Sequence, residues 1–296
     1  MKILVTGSTG FLGSAVVERL LFEGYNVVGL GRKDKGFLSK TIIEHGRFFL
    51  VRSDLLDEDA FKGVEDVDAV IHLASQQPSS QNIKFSEFLN VNVNATYRLL
   101  QAVKMMNAKR FIYTSTTSIF SNHTKDSPIN ELSYPDPINH YGLTKYIGER
   151  LVEIELQGSN INAVVLRFPS IYGKNHLGGF VHTFYTLARQ GIPIELYSNG
   201  IRYRNLLYVE DAVELLMRLL RYDAADPFEI FCAGSPDSQM TITIATWVRD
   251  MIGSKSKIVP VNKIPANDRD VFIDISKLQN ATGFTPCSIK DGLKKY

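Results

Sequence analysis

At 296 residues, 44% hydrophobic and 22% charged with a net charge of +2, the chain has room for one large domain or two modest ones and lacks the composition of a disordered segment. Near-neutral charge, with no basic stripe or aromatic-interleaved run, argues against nucleic acid or an acidic membrane surface as a partner. The only cysteines, Cys232 and Cys287, cannot build a disulfide framework, the opening Met1–Val5 is too short for a signal peptide, and no run approaches a membrane span, so a cytoplasmic setting is expected.

Lys2 to Thr6 reads as a strand that runs straight into Gly7-Ser-Thr9-Gly10-Phe11-Leu12-Gly13 and then into an apolar-periodic helix, Ala15 to Phe22. Gly7 permits a tight turn, Gly10 lets the backbone approach a diphosphate, and Gly13 lets the helix pack closely on the strand. A dinucleotide's phosphates would sit at the helix N-terminus, where free N–H groups and the dipole favour negative charge. The next strand, Tyr25 to Leu30, ends at Gly31-Arg32-Lys33, about where NAD-binding chains place an acid for the adenosine ribose. A guanidinium there can take a 2′-phosphate bidentately and a neighbouring ammonium adds charge, which favours NADP over NAD. The alternative has Arg32 and Lys33 as a solvated loop pair, with Asp34 on the ribose.

Further apolar runs, Phe48 to Val51, Ala69 to Ala74, Arg110 to Thr114 and Ala163 to Phe168, alternate with helical stretches. That rhythm predicts an α/β fold: a Rossmann-type doubly wound parallel sheet, with its ligand crevice at the carboxyl ends of the strands. After about Arg167 the rhythm loosens into Gly-, Pro- and Asn-rich connections. We expect residues 1–168 to form the nucleotide-binding domain, rejoined by about 204–233 through the helix Val209 to Arg221 and the strand Phe228 to Ala233. Residues 169–203 and 234–296 would form a smaller, discontinuous substrate lobe.

Several strand ends carry polar residues suited to a cofactor. Asp54, in Ser53-Asp54-Leu55, is placed to accept from an adenine amino group or to cap the helix after it. His72-Leu73-Ala74-Ser75 ends the fourth strand with small residues that let backbone lie against a pyrophosphate; His72 itself reads as a buried packing histidine. Asn92 sits at a helical approach to the site, suited to hold a carbonyl or a water.

The chemistry rests on Tyr141-Gly-Leu-Thr-Lys145. On a helix these two side chains face the same way. A tyrosine near its ordinary pKa is a poor base, and lowering it by about three units takes roughly 4 kcal/mol, which a close ammonium and a positive nicotinamide ring can supply. Tyr141 would exchange a proton with a sugar hydroxyl or ketone while Lys145 also holds ribose hydroxyls. A third partner is expected from Ser115-Thr116-Thr117-Ser118, with Thr116 binding the reacting oxygen.

With these residues in view, the chain resembles the extended short-chain dehydrogenase/reductase family of nucleotide-sugar epimerases, dehydratases and ketoreductases. Thr6 to Gly13 is similar to the family's cofactor turn, His72 to Ser75 to its fourth-strand motif, Asn92 to Thr96 to the helix that follows, and Ser115 to Phe120 to its catalytic hydroxyl segment. Leu166 to Gly173, Arg204 to Asp211, Asp274 to Lys277 and Gly283 to Pro286 resemble its later motifs. The resemblance implies that Thr9, Phe11, Leu12, Leu55, Leu73, Ala74 and Phe168 join the glycines at the cofactor. It places Ser75, Thr117, Ser170, Arg204 and Arg269 at the substrate, with Arg202 as an alternative second clamp. Ser170 stands where an Asn is often found and Asn205 where an Asp is. Thr117-Ser118 lacks the acidic pair of the dehydratases, which argues against dehydration.

The reading favoured from these residues is NADPH-dependent 4-ketoreduction of a nucleoside-diphosphate 4-keto-6-deoxyhexose. The alternative is a 4-epimerase with tightly held NAD, and a more remote one is a non-catalytic NADP-sensing or RNA-binding regulator. No metal is expected. The resemblance also implies a homodimer formed through helices near Asn92 to Met106 and Tyr141 to Leu156.

Overall fold

The short apolar runs of the first half pair into one sheet. A computed structural model describes residues 1–78, 82–121, 126–265 and 268–296. In it β1 (Lys2–Thr6), β2 (Asn26–Gly31), β3 (Phe48–Arg52), β4 (Ala69–His72), β5 (Arg110–Thr116), β6 (Asn162–Phe168) and β7 (Phe228–Cys232) form a seven-stranded sheet in the order β7-β6-β5-β4-β1-β2-β3. The pairs β1–β2, β2–β3, β1–β4 and β4–β5 are parallel, with Ile3 opposite both Val27 and Ala69. Strand order reverses beside β1, which puts the topological switch point at the end of the glycine turn.

Consecutive rather than alternating burial along Ile3, Leu4 and Val5 reflects a sheet covered on both faces. One cover is α1 (Phe11–Phe22), which buries Val16, Val17, Leu20 and Leu21. Another is the pair α2 (Ala95–Met105) and α3 (His140–Leu156), whose Leu99, Leu100 and Val152 share a core with Val70, Phe111 and Val165. The chain enters α2 through a short helix, Phe85–Leu89, and a wide π-type turn, Asn90–Asn94. Such turns rotate one side chain out of helical register, and here that residue set includes Asn92.

The chain divides into two compact units: Met1–Ile119, Pro137–Arg167 and Val213–Phe231 in the first, and Phe120–Asp136, Phe168–Ala212 and Cys232–Tyr296 in the second. Compared with the expected boundaries, residues 120–136 and 204–212 fall in the second unit. Pairing explains both: Ile129 bridges Ile273, and the strand Leu206–Tyr208 runs parallel to Ser170–Tyr172. Two more short pairs, Tyr203–Arg204 with Gln239–Met240 and Ile194–Leu196 with Ile258–Pro260, complete the strands of that unit's described residues. Among the described residues no helix is long and apolar enough to cross a membrane.

Candidate active site

The glycine turn is built for close backbone approach. Gly7 has φ +69° and donates to Leu30 O at 2.8 Å, while a Cβ on Gly13 would lie 2.1 Å from Gly7 O. Gly10 caps α1 without any side chain filling its first turn, and the hydroxyl of Ser8 is buried without a partner. A helix start with no side-chain cap and an orphaned hydroxyl close by are what a dinucleotide's phosphates require, so these residues fit that cofactor. Thr9 is buried, Phe11 meets Phe37 edge-on at 6.3 Å, and Leu12 is half-buried.

At the end of β2 the charges are paired differently from expectation. Arg32 lies 3.7 Å from Asp54, and Asp34 is taken by Arg52 at 2.9 Å; Arg32, Asp34 and Arg52 are exposed and Asp54 is half-buried. Lys33 is exposed. Asp54 caps no helix; its Oδ1 accepts from Leu56 N at 3.0 Å in a tight turn, and Leu55 is core.

At the end of β4, His72 is fully buried, and burial above all, with the nearby Lys145 charge, drives its pKa down to about 3. Thr96 donates its hydroxyl to Asn92 O at 3.0 Å, so the Nε2–H of His72 donates to Thr96 at 2.9 Å and Nδ1 accepts from Thr6 at 2.6 Å. His72 is thus a neutral structural link. Asn92, 1% exposed, uses both ends of its amide: Oδ1 accepts from Ser75 Oγ (3.1 Å) and Gln76 N (2.8 Å), and Nδ2 donates to Gln76 O (3.2 Å) and Thr144 Oγ1 (3.0 Å). Leu73 and Ala74 lie beside this network, their amides donating to Thr6 at 3.2 and 3.3 Å.

Helix α3 begins at an Asn139 cap, whose Oδ1 accepts from Gly142 N at 2.8 Å. Tyr141 follows in its first turn, buried, with the side chains of Gln77, Thr116 and Ser75 close enough to act on its phenol. Burial raises the phenol's pKa above the ordinary value, and those three polar neighbours act in the other direction. The lowered phenol expected from the sequence is therefore not a property of the chain by itself: the Lys145 ammonium stands over the ring of Tyr113, 4.0 Å from its centroid. Lys145 is 2% exposed and burial brings its pKa down to about 7, with Glu149 opposing. Tyr113 fits under it because Gly148 has no side chain; a Cβ there would meet the Tyr113 hydroxyl at 2.0 Å. Thr116 Oγ1 accepts from Ser118 N at 3.1 Å, and Thr117 is buried in the short turn Thr117–Ile119. Ser115 carries a second buried hydroxyl without a partner.

The first unit thus brings together Ser75, Thr116, Tyr141 and Lys145, and adds Gln77 and Glu149, which sequence reasoning passed over. Glu149 was detectable as the next position on the Tyr141–Lys145 face. The second unit holds Phe168, buried, and Ser170, exposed at the start of its strand. There Arg204 pairs with Asp268 and donates to Arg269 O, and Arg202 reaches the same carboxylate at 2.9 Å. Arg269 donates to Ser121 O at 3.3 Å, its pKa brought down to about 10 by burial and by Arg204.

A parallel sheet with its switch point at an uncapped glycine turn, and a Tyr/Lys helix beside a strand-end hydroxyl, define a nucleotide-dependent oxidoreductase of the short-chain type. The chain belongs to the NAD dependent epimerase/dehydratase family, whose sequence pattern matches residues 3–234. It is 29% identical to an uncharacterised UDP-glucose epimerase of Bacillus subtilis, over 99% of this chain and 96% of the relative. To UDP-glucuronic acid decarboxylase 6 of Arabidopsis thaliana it is 30% identical, over 99% and 87%. The UDP-glucuronic acid 4-epimerase of Bacillus cereus, solved with UDP-glucuronic acid and NAD, superposes with a TM-score of 0.88 at 26% identity, covering 100% of this chain and 97% of that one.

Proposed function

We propose that this chain is an NAD-dependent 4-epimerase of a nucleoside-diphosphate sugar. The observation that carries the reading is that Tyr141 and Lys145 stand one turn apart on a single helix, with the Thr116 side chain close enough to act on the phenol. The solved epimerase from Bacillus cereus, with its NAD and UDP-sugar, supports it over the NADPH ketoreductase favoured by sequence alone. So does the adenosine end of the turn. Arg32 already faces the Asp54 carboxylate, which leaves its guanidinium less available to a 2′-phosphate than a bare Arg32 would be.

In this reading Gly7, Gly10 and Gly13 and the α1 amides hold the diphosphate, Asn92 sets the Ser75–Gln76 backbone, and Lys145 holds the ribose. A nicotinamide bound there supplies hydride acceptance and return. Tyr141 Oη receives the sugar hydroxyl's proton as the sugar is oxidised and gives it back as the keto sugar is reduced, and Thr116 holds the reacting oxygen in line. Because each proton and hydride returns, no net reductant is consumed. On the second unit, Arg269 and Arg204, the latter held in place by Asp268 and the Arg269 carbonyl, are assigned to the charge of the substrate's diphosphate, and Ser170 to its polar contacts.

Incubation with UDP-glucose, UDP-glucuronic acid or UDP-N-acetylglucosamine and no added reductant, followed by proton NMR, tests the reading. The C4 epimer of one of them is expected. Consumption of NADPH on a 4-keto-6-deoxy sugar nucleotide, with no epimer from any of the three, would reinstate reduction.

A further inference from the structure

Beyond Lys145, α3 places a third ionisable residue at the same four-residue spacing, and it is a buried acid. Glu149 is 2% exposed and both of its oxygens accept from Arg167 of β6, from Nε at 3.1 and 3.3 Å and from Nη2 at 2.8 Å. Arg167 is itself 3% exposed, so the pair has left water on both sides. Burying two charges costs several kcal/mol that their attraction barely offsets, and apolar replacements of such pairs are often as stable. Its role is better sought in what the carboxylate's field reaches.

Lys145 lies one turn away along the helix, in surroundings where an ammonium is hard to keep. The groups facing it are His72 of β4, Tyr113 of β5 and Glu149 of its own helix, with Tyr141 one turn before it in the chain. His72 is neutral, since its pKa is down at about 3, and burial raises Tyr113 well above its ordinary value, so neither contributes a negative charge. Burial lowers Lys145, and Glu149 is the group that opposes the loss of its proton. Arg167 holds that carboxylate by two donors, which fixes its direction as a monodentate contact would not.

We propose that Glu149, fixed by Arg167, is a positioning residue that keeps Lys145 protonated beside Tyr141. The catalytic consequence rests on the epimerase reading above; the effect on Lys145 does not. It is tested in the cofactor-free full chain by following the side-chain nitrogen of Lys145 in 15N-lysine-labelled protein by NMR, the resonance being assigned by its loss in Lys145→Met.

In the double variant Glu149→Gln/Arg167→Gln, which removes both buried charges together, the Lys145 titration midpoint is expected to fall by about one pH unit. Arg167→Lys keeps both charges and is expected to leave the midpoint near that of the unaltered chain while lowering the melting temperature. Should the double variant not fold, Glu149→Gln alone carries the same expectation with a larger fall. A midpoint unmoved when Glu149 is neutral, or moved equally by Arg167→Lys, would overturn the proposal. With the true sugar nucleotide, the alkaline limb of the kcat profile should move to lower pH with the midpoint. If no sugar nucleotide turns over, the epimerase reading fails while the NMR result stands.

Discussion

Asn92 donates to Thr144 Oγ1 at 3.0 Å, and so ties the wide turn ahead of α2 to the first turns of the helix that carries Tyr141. The same amide holds Ser75 and Gln76 at the end of β4. One buried side chain therefore sets the spacing of the strand end, the π-type turn and the Tyr141 helix.

Replacing it should cost both stability and rate. Asn92→Ala removes partners of the half-buried Gln76 amide and carbonyl and of the Ser75 hydroxyl, and a donor to Thr144, an expected loss of ~1–3 kcal/mol in urea unfolding. Turnover at saturating substrate should fall by more than the unfolded fraction explains, because Ser75, a polar neighbour of the Tyr141 phenol, loses the carboxamide that holds it. Unchanged kcat in the folded fraction would deny Asn92 this role.

Lys145 offers a test in which stability and activity move in opposite directions. Its pKa falls from 10.5 to about 7 in the folded chain, so the unfolded chain binds the proton more readily, and burial of the ammonium costs stability below pH 7. That cost fades as pH climbs toward the unfolded value. Lys145→Met should therefore be more stable than the original chain by ~1–4 kcal/mol at pH 6, with the gain shrinking to little by about pH 10. Turnover should drop by about 10²-fold or more. Denaturant midpoints across this pH range would check it, and a constant difference would refute the linkage.

On the second unit, Asn205 is 4% exposed and uses an amide where a carboxylate would fail. Its Nδ2 donates to Ser235 O (3.0 Å), Asp237 O (3.1 Å) and Ser238 Oγ (3.1 Å), while Oδ1 accepts from Ser235 N (3.0 Å). Asn205→Asp would set a buried anion against two carbonyls. A loss of ~1–3 kcal/mol is expected by thermal or urea unfolding, larger at neutral than at acid pH.

Both cysteines should be slow toward thiol reagents in the folded chain. Cys232 is fully buried, and burial together with the Asp211 carboxylate pushes the Cys287 thiol up to about 12, so almost none is thiolate at pH 8. Titration with a disulfide reagent should find both only after addition of guanidinium chloride. Rapid native labelling at either would contradict the packing.

Helices α2 and α3 leave Tyr97, Leu143 and Ile154 exposed, at 45%, 37% and 57%. If these faces form a homodimer, light scattering should give about twice the 33.3 kDa chain mass, and Tyr97→Asp/Ile154→Asp should halve it. A monomer at micromolar concentration would discard the expectation.

The sheet was readable because its strands are short, continuously apolar and separated by helical stretches, a pattern that leaves little choice but a parallel sheet covered on both faces. The Tyr141–Lys145 spacing was readable for a related reason: helical periodicity alone aligns them. What escaped were relationships between residues far apart in the chain. Arg32 pairs with Asp54 from the next strand's end and Arg204 with Asp268 from a distant loop, partners that no local pattern reveals. The rise that burial imposes on Tyr141 in the chain by itself could not be read, because a chain of letters carries no measure of how dry a phenol will be. The second unit's claim on residues 120–136 depended on one bridge to Ile273.

Tyr141, Lys145 and Glu149 belong to a single unbroken helix, His140–Leu156. Adding or deleting one residue between them would swing everything beyond it by about 100° around the axis. Length variation is therefore barred from this segment, whereas connections elsewhere can lengthen freely. A library built on this scaffold can vary its loops in size, but this helix only in side chains.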